Sequence, residues 1–302
     1  MTKSVKAEHY VPKFYLQRFS TNDKICAYNM KTNEFIQTNV NKIAKKNYFY
    51  DLDIDVLRKE LSNQKKFLDI SDEEFAELTN DEQFVEKAFS RLEGKAKTCL
   101  DELENNYNLI NNKEFLSTLF LFLHTLSLRT LNFRKRLEEI AKNTTNWLHS
   151  MNIKEVANYP LDLSSEEIAK QNQLSEILSL PRVYQKSKSF FENYDIFVGI
   201  NDSQVDFLIS DNPLLYFQLG FNDICFPVNP RLAIIMQVKG VSKEFKVCEL
   251  SPDKNFIVHL SSIEVIKYNV LQQNSDATYL FGSELMLKFH LNFIKEVKQL
   301  NK

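Results

Sequence analysis

The longest apolar run of the chain, from Phe115 to Leu128, is the feature that most constrains the fold. Five polar residues interrupt the run, and Glu114 and Arg129 bound it. Because a membrane-spanning helix needs about 20 predominantly apolar residues, this run is too short and too polar to cross a bilayer. A helix that is apolar nearly all round is instead buried in a protein core. The run therefore predicts a central core helix over residues 113–129.

Composition excludes several classes of protein. The net charge of −2 gives no general attraction to nucleic acid or to an anionic membrane, so such binding would need a local patch. With only 5 glycines, the chain has neither a G-x-G-x-x-G nor a G-x-x-x-x-G-K-[ST] phosphate-binding motif. The four cysteines form no C-x-x-C pair, and no apolar signal segment follows Met1. These features predict a cytoplasmic protein with free thiols and no association with a membrane.

Hydrophobic periodicity predicts the order of helices and strands. The N-terminal part is expected to contain a short helix over 12–19 and a hairpin of strands over 25–30 and 34–40. Helices are expected over 81–105 and 113–129, continuing as a basic amphipathic helix through Trp147, and over 164–194 with a break at Pro181. Strands are expected over 195–200, 205–209, 232–238 and 255–260, and helices over 262–273, capped by Ser262, and over 283–298.

This order predicts an α+β fold, in which a helical middle region packs against a mainly antiparallel sheet, with an N-terminal hairpin. We expect a single domain over residues 1–302. Its parts are the motif and hairpin (1–50), the helical region (81–194), the strand-rich region (195–260) and the C-terminal helices (262–298).

The amino terminus carries a distinctive motif. A terminus without a role is usually polar and frayed, whereas this one reads His9-Tyr10-Val11-Pro12, then Phe14-Tyr15-Leu16 and Arg18-Phe19. The motif resembles the opening signature of the bacterial family called domain of unknown function 4238. Three further pieces support the resemblance: the helix around Glu86 and Glu93, Leu128-Arg129-Thr130, and the segment from Phe207 to Pro213. The resemblance implies a bacterial cytosolic protein and names no activity.

Asp211 is a candidate catalytic residue. It directly follows an apolar strand, and Asn212-Pro213 turns the chain out of that strand, because a residue before proline disfavours helix. A carboxylate held in this way suits a general base or a metal ligand. The alternative is an Asx-turn to its own backbone.

Arg129 closes the predicted core helix, where its charge needs a carboxylate or a bound anion. Glu93 lies on the flank of the preceding helix, with Glu86 two turns earlier. The two interpretations are an ion pair between Arg129 and Glu93, and a clamp for a phosphate group.

The remaining candidates are on the N-terminal motif and a basic helix. His9 could act as an acid or a base near neutral pH, or be a structural imidazole. The residues expected to bind substrate are Tyr10, Tyr15, Arg18 and Asn212, with core packing as the alternative for the tyrosines. His124 is expected to be a core histidine. The basic set Arg129, Arg134, Lys135, Arg136 and Lys142 could track a phosphate backbone, although a solvated helix face is the simpler interpretation.

Two functions follow as hypotheses. The first is a phosphodiester hydrolase, most simply a nuclease, that could serve as a toxin or antiphage effector, with His9, Glu93, Arg129 and Asp211 as catalytic residues. The second is a non-catalytic sensor or binding module for a nucleotide or other anionic ligand. The expected partner is nucleic acid or a nucleotide. No metal-ligand cluster is visible, so dependence on a divalent metal and the oligomeric state stay open.

Overall fold

The computed structural model describes residues 7–47, 49–50, 84–150, 164–179, 192–214 and 223–300, and the single residues 62, 71, 73 and 76. Two predictions concern residues outside this set: the helix start at Asp81 and the break at Pro181.

The N-terminal motif is docked into the fold. Strand β1 (Ala7–His9) pairs antiparallel with β4 (Lys45–Asn47), and the short helix α1 (Lys13–Gln17) follows Pro12. The predicted hairpin is present as β2 (Lys24–Asn29) and β3 (Glu34–Asn39). Its turn places Asn33 at a φ of 60°, a left-handed conformation that asparagine tolerates.

The hairpin joins two strands from much later in the chain. Strand β10 (Tyr279–Gly282) pairs antiparallel with β2 and with β6 (Ile209–Ser210), which gives the order β3-β2-β10-β6. The predicted strand over 205–209 is therefore wrong except at its end. Asn269 explains the difference, because its side chain accepts from Leu208 N at 2.8 Å and donates to Asp206 O at 2.9 Å, bonds that a neighbouring strand would otherwise make.

A second four-stranded sheet has the order β7-β8-β5-β9. Its strands are β5 (Tyr194–Asn201), β7 (Asp223–Asn229), β8 (Leu232–Val238) and β9 (Ile257–Leu260). Only β5 and β9 run parallel among the described pairs of strands. No strand was predicted over 223–229, yet β7 lies there and its residues 223–228 are all buried.

The middle of the chain is helical, as the periodicity predicts. Helices α2 (Phe84–Leu103), α3 (Lys113–Leu128), α4 (Leu131–Ser150) and α5 (Ser165–Leu178) follow one another. Along α3 no residue from Phe115 to Leu128 is exposed, and Phe122 contacts the rings of Phe14 and Phe226. The prediction of a central core helix is confirmed.

Two helices end the described chain, α6 (Ser262–Gln273) and α7 (Glu284–Leu300). The N-cap of α6 is Ser261, whereas the sequence predicted Ser262. The Glu264 carboxylate accepts from both the backbone N and the hydroxyl of Ser261, at 2.7 and 2.8 Å, in a capping box. The whole arrangement confirms an α+β fold with mostly antiparallel strands. None of the described helices combines the length and the apolar character that a membrane crossing requires.

Candidate functional site

Arg129 is the centre of a buried polar cluster. Its side chain is 2% exposed, and its guanidinium donates to the Glu93 carboxylate, to His9 O at 2.6 Å and to the Tyr50 hydroxyl at 3.2 Å. The guanidinium carbon also lies 4.1 Å from the centre of the Phe89 ring. Burial lowers the pKa of Arg129, but Tyr50 and Glu93 raise it by more, so this side chain stays charged. Residues from β1, α2 and α3 thus meet around one cation.

The imidazole of His9 lies at the edge of this cluster and is half-buried. Burial lowers the pKa of His9, and the positive charges of Lys45 and Arg129 lower it further. The Val40 carbonyl and the Glu93 carboxylate raise this pKa, but by less. His9 Nε2 lies 3.3 Å from Val40 O. A neutral ring that donates Nε2–H to this carbonyl keeps Nδ1 as an acceptor.

Glu86 is a member of the cluster that we had not assigned to the site. It lies one turn before Phe89 on α2, two turns before Glu93, and its Oε2 is buried with no hydrogen-bond partner among the described residues. Burial raises the pKa of Glu86. The charge of Arg129 lowers this pKa in part, and the charge of Glu93 raises it further. Its spacing from Glu93 was visible in the sequence, but its lack of a partner was not.

Asp211 bonds to a different part of the chain from the residues around Arg129. The Asp211 side chain is buried, and its Oδ1 accepts from the backbone N of Thr278 at 2.7 Å and of Tyr279 at 3.0 Å. Burial raises the pKa of Asp211, whereas these two bonds lower it. Burial and the charge of Asp211 both raise the pKa of Tyr10, so the two side chains are close. Asp211 ties β6 to β10.

Two of the predicted substrate-binding residues make internal contacts. Tyr15 is fully buried, donates its hydroxyl to Pro227 O at 2.7 Å and stacks on Phe226 at 4.9 Å between ring centres. Arg18 pairs with Asp101 at 2.5 Å and with Glu104 at 2.8 Å. These two side chains connect α1 to the second sheet and to α2.

The predicted basic set divides between the interior and the surface. Arg134 is buried, donating to Gln173 Oε1 at 2.5 Å and to Phe49 O at 2.8 Å. Burial lowers the pKa of Arg134 to about 10. Lys135 and Arg136 are exposed, and the charge of Lys135 lowers the pKa of Asp211. Only part of the set is therefore available to a ligand.

A pocket with a volume of about 430 Å³ opens where α3 ends, α4 begins and the chain turns after β6. This volume lies in the range of small-molecule sites. Its apolar lining is Phe120, Leu128, Phe133 and Leu214, and its polar lining is His124, Ser127, Thr130, Asn132, Arg136 and Asn212. The pocket thus combines aromatic rings with amides and one cation.

Of the eight predicted site residues, only Asn212 lines this pocket. The Asn212 side chain donates through Nδ2 to Ser275 O at 2.7 Å. His124 stacks on Phe120 with ring centres 5.8 Å apart and planes 7° from parallel, and burial lowers the pKa of His124. The exposed Arg136 reaches Asp276 at 3.1 Å. His124, predicted to be a core residue, is half-buried at the pocket wall, and the polar interruptions of the α3 run were the only sequence signal for it.

Metal ligands are the remaining feature of the site to describe. Within the described ranges, no group of three or more His, Cys, Asp and Glu side chains is placed to hold a metal ion.

The fold and the pocket define an α+β protein with a mixed aromatic and polar cavity of ligand size. The chain belongs to the family described as "Protein of unknown function (DUF4238)", whose model matches residues 8–284. No curated protein and no solved structure matches the chain.

Proposed function

We propose that this protein binds a phosphate-bearing ligand of the nucleotide class in the pocket between α3, α4 and the turn after β6. The observation that carries the proposal is the combination of Arg136 with aromatic and amide side chains around one cavity. Ligand sites are typically apolar cavities with a few placed polar groups. An arginine fork suits a phosphate group, and the nearby Lys135 adds positive charge.

The bonds of the other candidates favour binding over catalysis. Arg129 already holds the Glu93 carboxylate and the His9 carbonyl oxygen, so it has little capacity left for a substrate anion. Asp211 Oδ1 accepts two backbone N–H groups, which supports a role in holding β10. The cation of Arg136 is about half exposed (55%), and its pair with Asp276 is a surface ion pair that costs little to exchange.

Isothermal titration of the full chain with a panel of nucleoside phosphates tests the proposal. We expect binding to the wild type and a loss of about tenfold or more in affinity for Arg136→Ala, the loss typical of a charge-assisted hydrogen bond. Arg91→Ala is the matched control, because Arg91 is exposed on α2 and does not line the pocket. Equal affinities of Arg136→Ala and wild type would contradict this site.

Phosphodiester hydrolysis is a second candidate function, and Glu86 Oε2, which has no hydrogen-bond partner among the described residues, favours it. Glu86 and His9 both interact with Arg129 and Glu93, and a buried carboxyl with a raised pKa and a neutral imidazole are the groups that general acid–base catalysis uses. His9 Nδ1 would take a proton from the attacking water as the bond from oxygen to phosphorus forms. Glu86 would give its proton to the oxygen that leaves phosphorus.

This candidate is tested with bis(p-nitrophenyl) phosphate, RNA and DNA, with and without Mg²⁺ or Mn²⁺. Turnover by the wild type that Glu86→Gln abolishes would support hydrolysis. Glu102→Gln on an exposed position of the same helix is the control. Wild-type inactivity on all three substrates would leave only the binding function.

A further inference from the structure

We infer that two copies of this chain form an antiparallel two-fold dimer through the outer face of the last helix, α7. The feature that carries the inference is a ridge of apolar side chains at four-residue spacing, formed by Leu285, Phe289, Phe293 and Val297. All four follow residue 284, where the family match ends, and none of them lines the pocket between α3 and α4. The inference is therefore independent of the proposed function.

The ridge faces solvent, although α7 also has an apolar face in the core, on which Leu287 is buried. Leu285 is 71% exposed, Phe289 42% and Val297 37%. The rings of Phe289 and Phe293 stack with their centres 6.4 Å apart, so the middle of the ridge is one aromatic surface. Because residues four apart are neighbours on a helix, the four side chains form a continuous row. A contiguous exposed apolar patch marks a site of interaction, whereas single exposed apolar residues do not.

The order of side chains along the ridge indicates a second copy as the partner. Read in either direction, the order is aliphatic, aromatic, aromatic, aliphatic. A two-fold interface joins the same surface of both chains, so that surface must be complementary to itself. In an antiparallel pair centred beside Leu291, Phe289 lies against the partner's Phe293, and Leu285 lies against the partner's Val297. Rows at four-residue spacing are also the ridges that pack into the grooves of a facing helix.

The charges beside the ridge favour the antiparallel orientation. Lys288 and Glu296 are exposed and lie eight residues apart, which places them on the same side of α7. The antiparallel pair brings Glu296 within about 3 Å, measured along the helix axis, of the partner's Lys288, and symmetry repeats this contact. Lys288 pairs with Glu284 of its own helix at 2.5 Å, an exposed ion pair that costs little to exchange. A parallel pair would instead place like charges beside each other.

Sedimentation velocity of the full chain tests the dimer. We expect the wild type to have the mass of two chains, and Phe289→Glu to raise the dissociation constant of the dimer about thirtyfold or more. Phe245→Glu is the matched control, because Phe245 is an exposed phenylalanine outside α7, and this variant should leave the dimer unchanged. The circular dichroism of both variants should match that of the wild type, because both positions are exposed.

Cross-linking with a short bismaleimide tests the orientation. The variants carry Cys99→Ser, because the other three cysteines are buried. Asn292 is exposed and lies one residue from the centre of the ridge, so its two copies are about 3 Å apart along the helix axis. The two copies of Leu300 are about 27 Å apart. We therefore expect Asn292→Cys chains to be cross-linked and Leu300→Cys chains to remain single.

Three results would overturn the inference. The first is a wild-type chain that sediments as a monomer at every concentration up to its limit of solubility. The second is a dimer that Phe289→Glu leaves as stable as the wild type. The third is equal cross-linking of Asn292→Cys and Leu300→Cys, which would show a parallel pair. All three leave the nucleotide titrations unaffected, so this inference and the proposed function fail separately.

Discussion

Arg129 Nη2 donates a hydrogen bond of 2.6 Å to the carbonyl oxygen of His9, which joins the end of α3 to strand β1 across 120 residues of sequence. The same guanidinium holds the Glu93 carboxylate of α2. Three elements that are distant in the chain therefore share one buried charge. This arrangement makes the stability of the fold depend on a single side chain, and it leads to the first of four predictions.

Arg129→Met should destabilise the protein by about 3–5 kcal/mol, because removing one partner of a buried ion pair leaves the other partner without compensation. Urea unfolding followed by circular dichroism measures the loss. Arg136→Met is the control: its ion pair with Asp276 is exposed and should contribute about 0–1 kcal/mol. Equal stabilities of the two variants would show that Arg129 does not hold these elements together.

Asp211→Ala should destabilise the protein by about 2 kcal/mol, because two backbone N–H groups of β10 would lose their acceptor. Asp211→Asn keeps an oxygen at the same position and should stay within about 1 kcal/mol of the wild type. Thermal and urea unfolding of both variants check this. An Asn variant as unstable as the Ala variant would mean that the charge of Asp211, and not its geometry as an acceptor, supports the fold.

Glu86→Gln should be more stable than the wild type near pH 7. Burial raises the pKa of the Glu86 carboxyl above its ordinary 4.5, so the folded state binds this proton more tightly than the unfolded state. The resulting contribution to stability is complete below pH 4.5 and is lost as the pH rises through the folded-state pKa. The Gln variant has no such proton to lose. Urea unfolding at a series of pH values should show that the difference in unfolding free energy between Glu86→Gln and the wild type shrinks toward pH 4.5. Glu102→Gln is the exposed control.

His290 should make the fold sensitive to acid. Burial lowers the pKa of His290 from 6.5 to about 4, while its Nε2 lies 3.0 Å from Gln273 Oε1 and links α7 to α6. The stability that neutral His290 contributes is complete above pH 6.5 and is lost as the pH falls toward 4, by up to about 3 kcal/mol. The difference in unfolding free energy between wild type and His290→Gln should fall across this window. An imidazole NMR signal of His290 that titrates near pH 6.5 would contradict the prediction.

Local patterns predicted most of the described elements correctly. The hairpin of β2 and β3, the core helix α3 and helix α6 follow from periodicity and turn or capping residues that act over a few positions. The strand expected over 205–209 was mostly wrong because the Asn269 side chain, 61 residues from Leu208, replaces a strand partner. A bond of this range has no local signature.

The candidate site was predicted less well. The pairing of Arg129 with Glu93 could be anticipated, because a cation at the end of a buried helix needs a nearby carboxylate. The partners of Tyr15 and Arg18 could not, since they lie on β7 and α2. The pocket escaped notice for the same reason: His124 and Asn212 come from segments far apart in the chain.

The amino-acid sequence by itself determined the family, the α+β class and the residues with chemical potential, because these depend on motifs and on hydrophobic periods. Tertiary structure alone decided which of those residues face a cavity and which bind the protein itself. The physical reason is that a buried charge or amide must find a partner, and the partner is set by packing between distant segments. Arg129 found Glu93 and the backbone of His9 in the interior, whereas Arg136, seven residues later, remains at the mouth of a pocket.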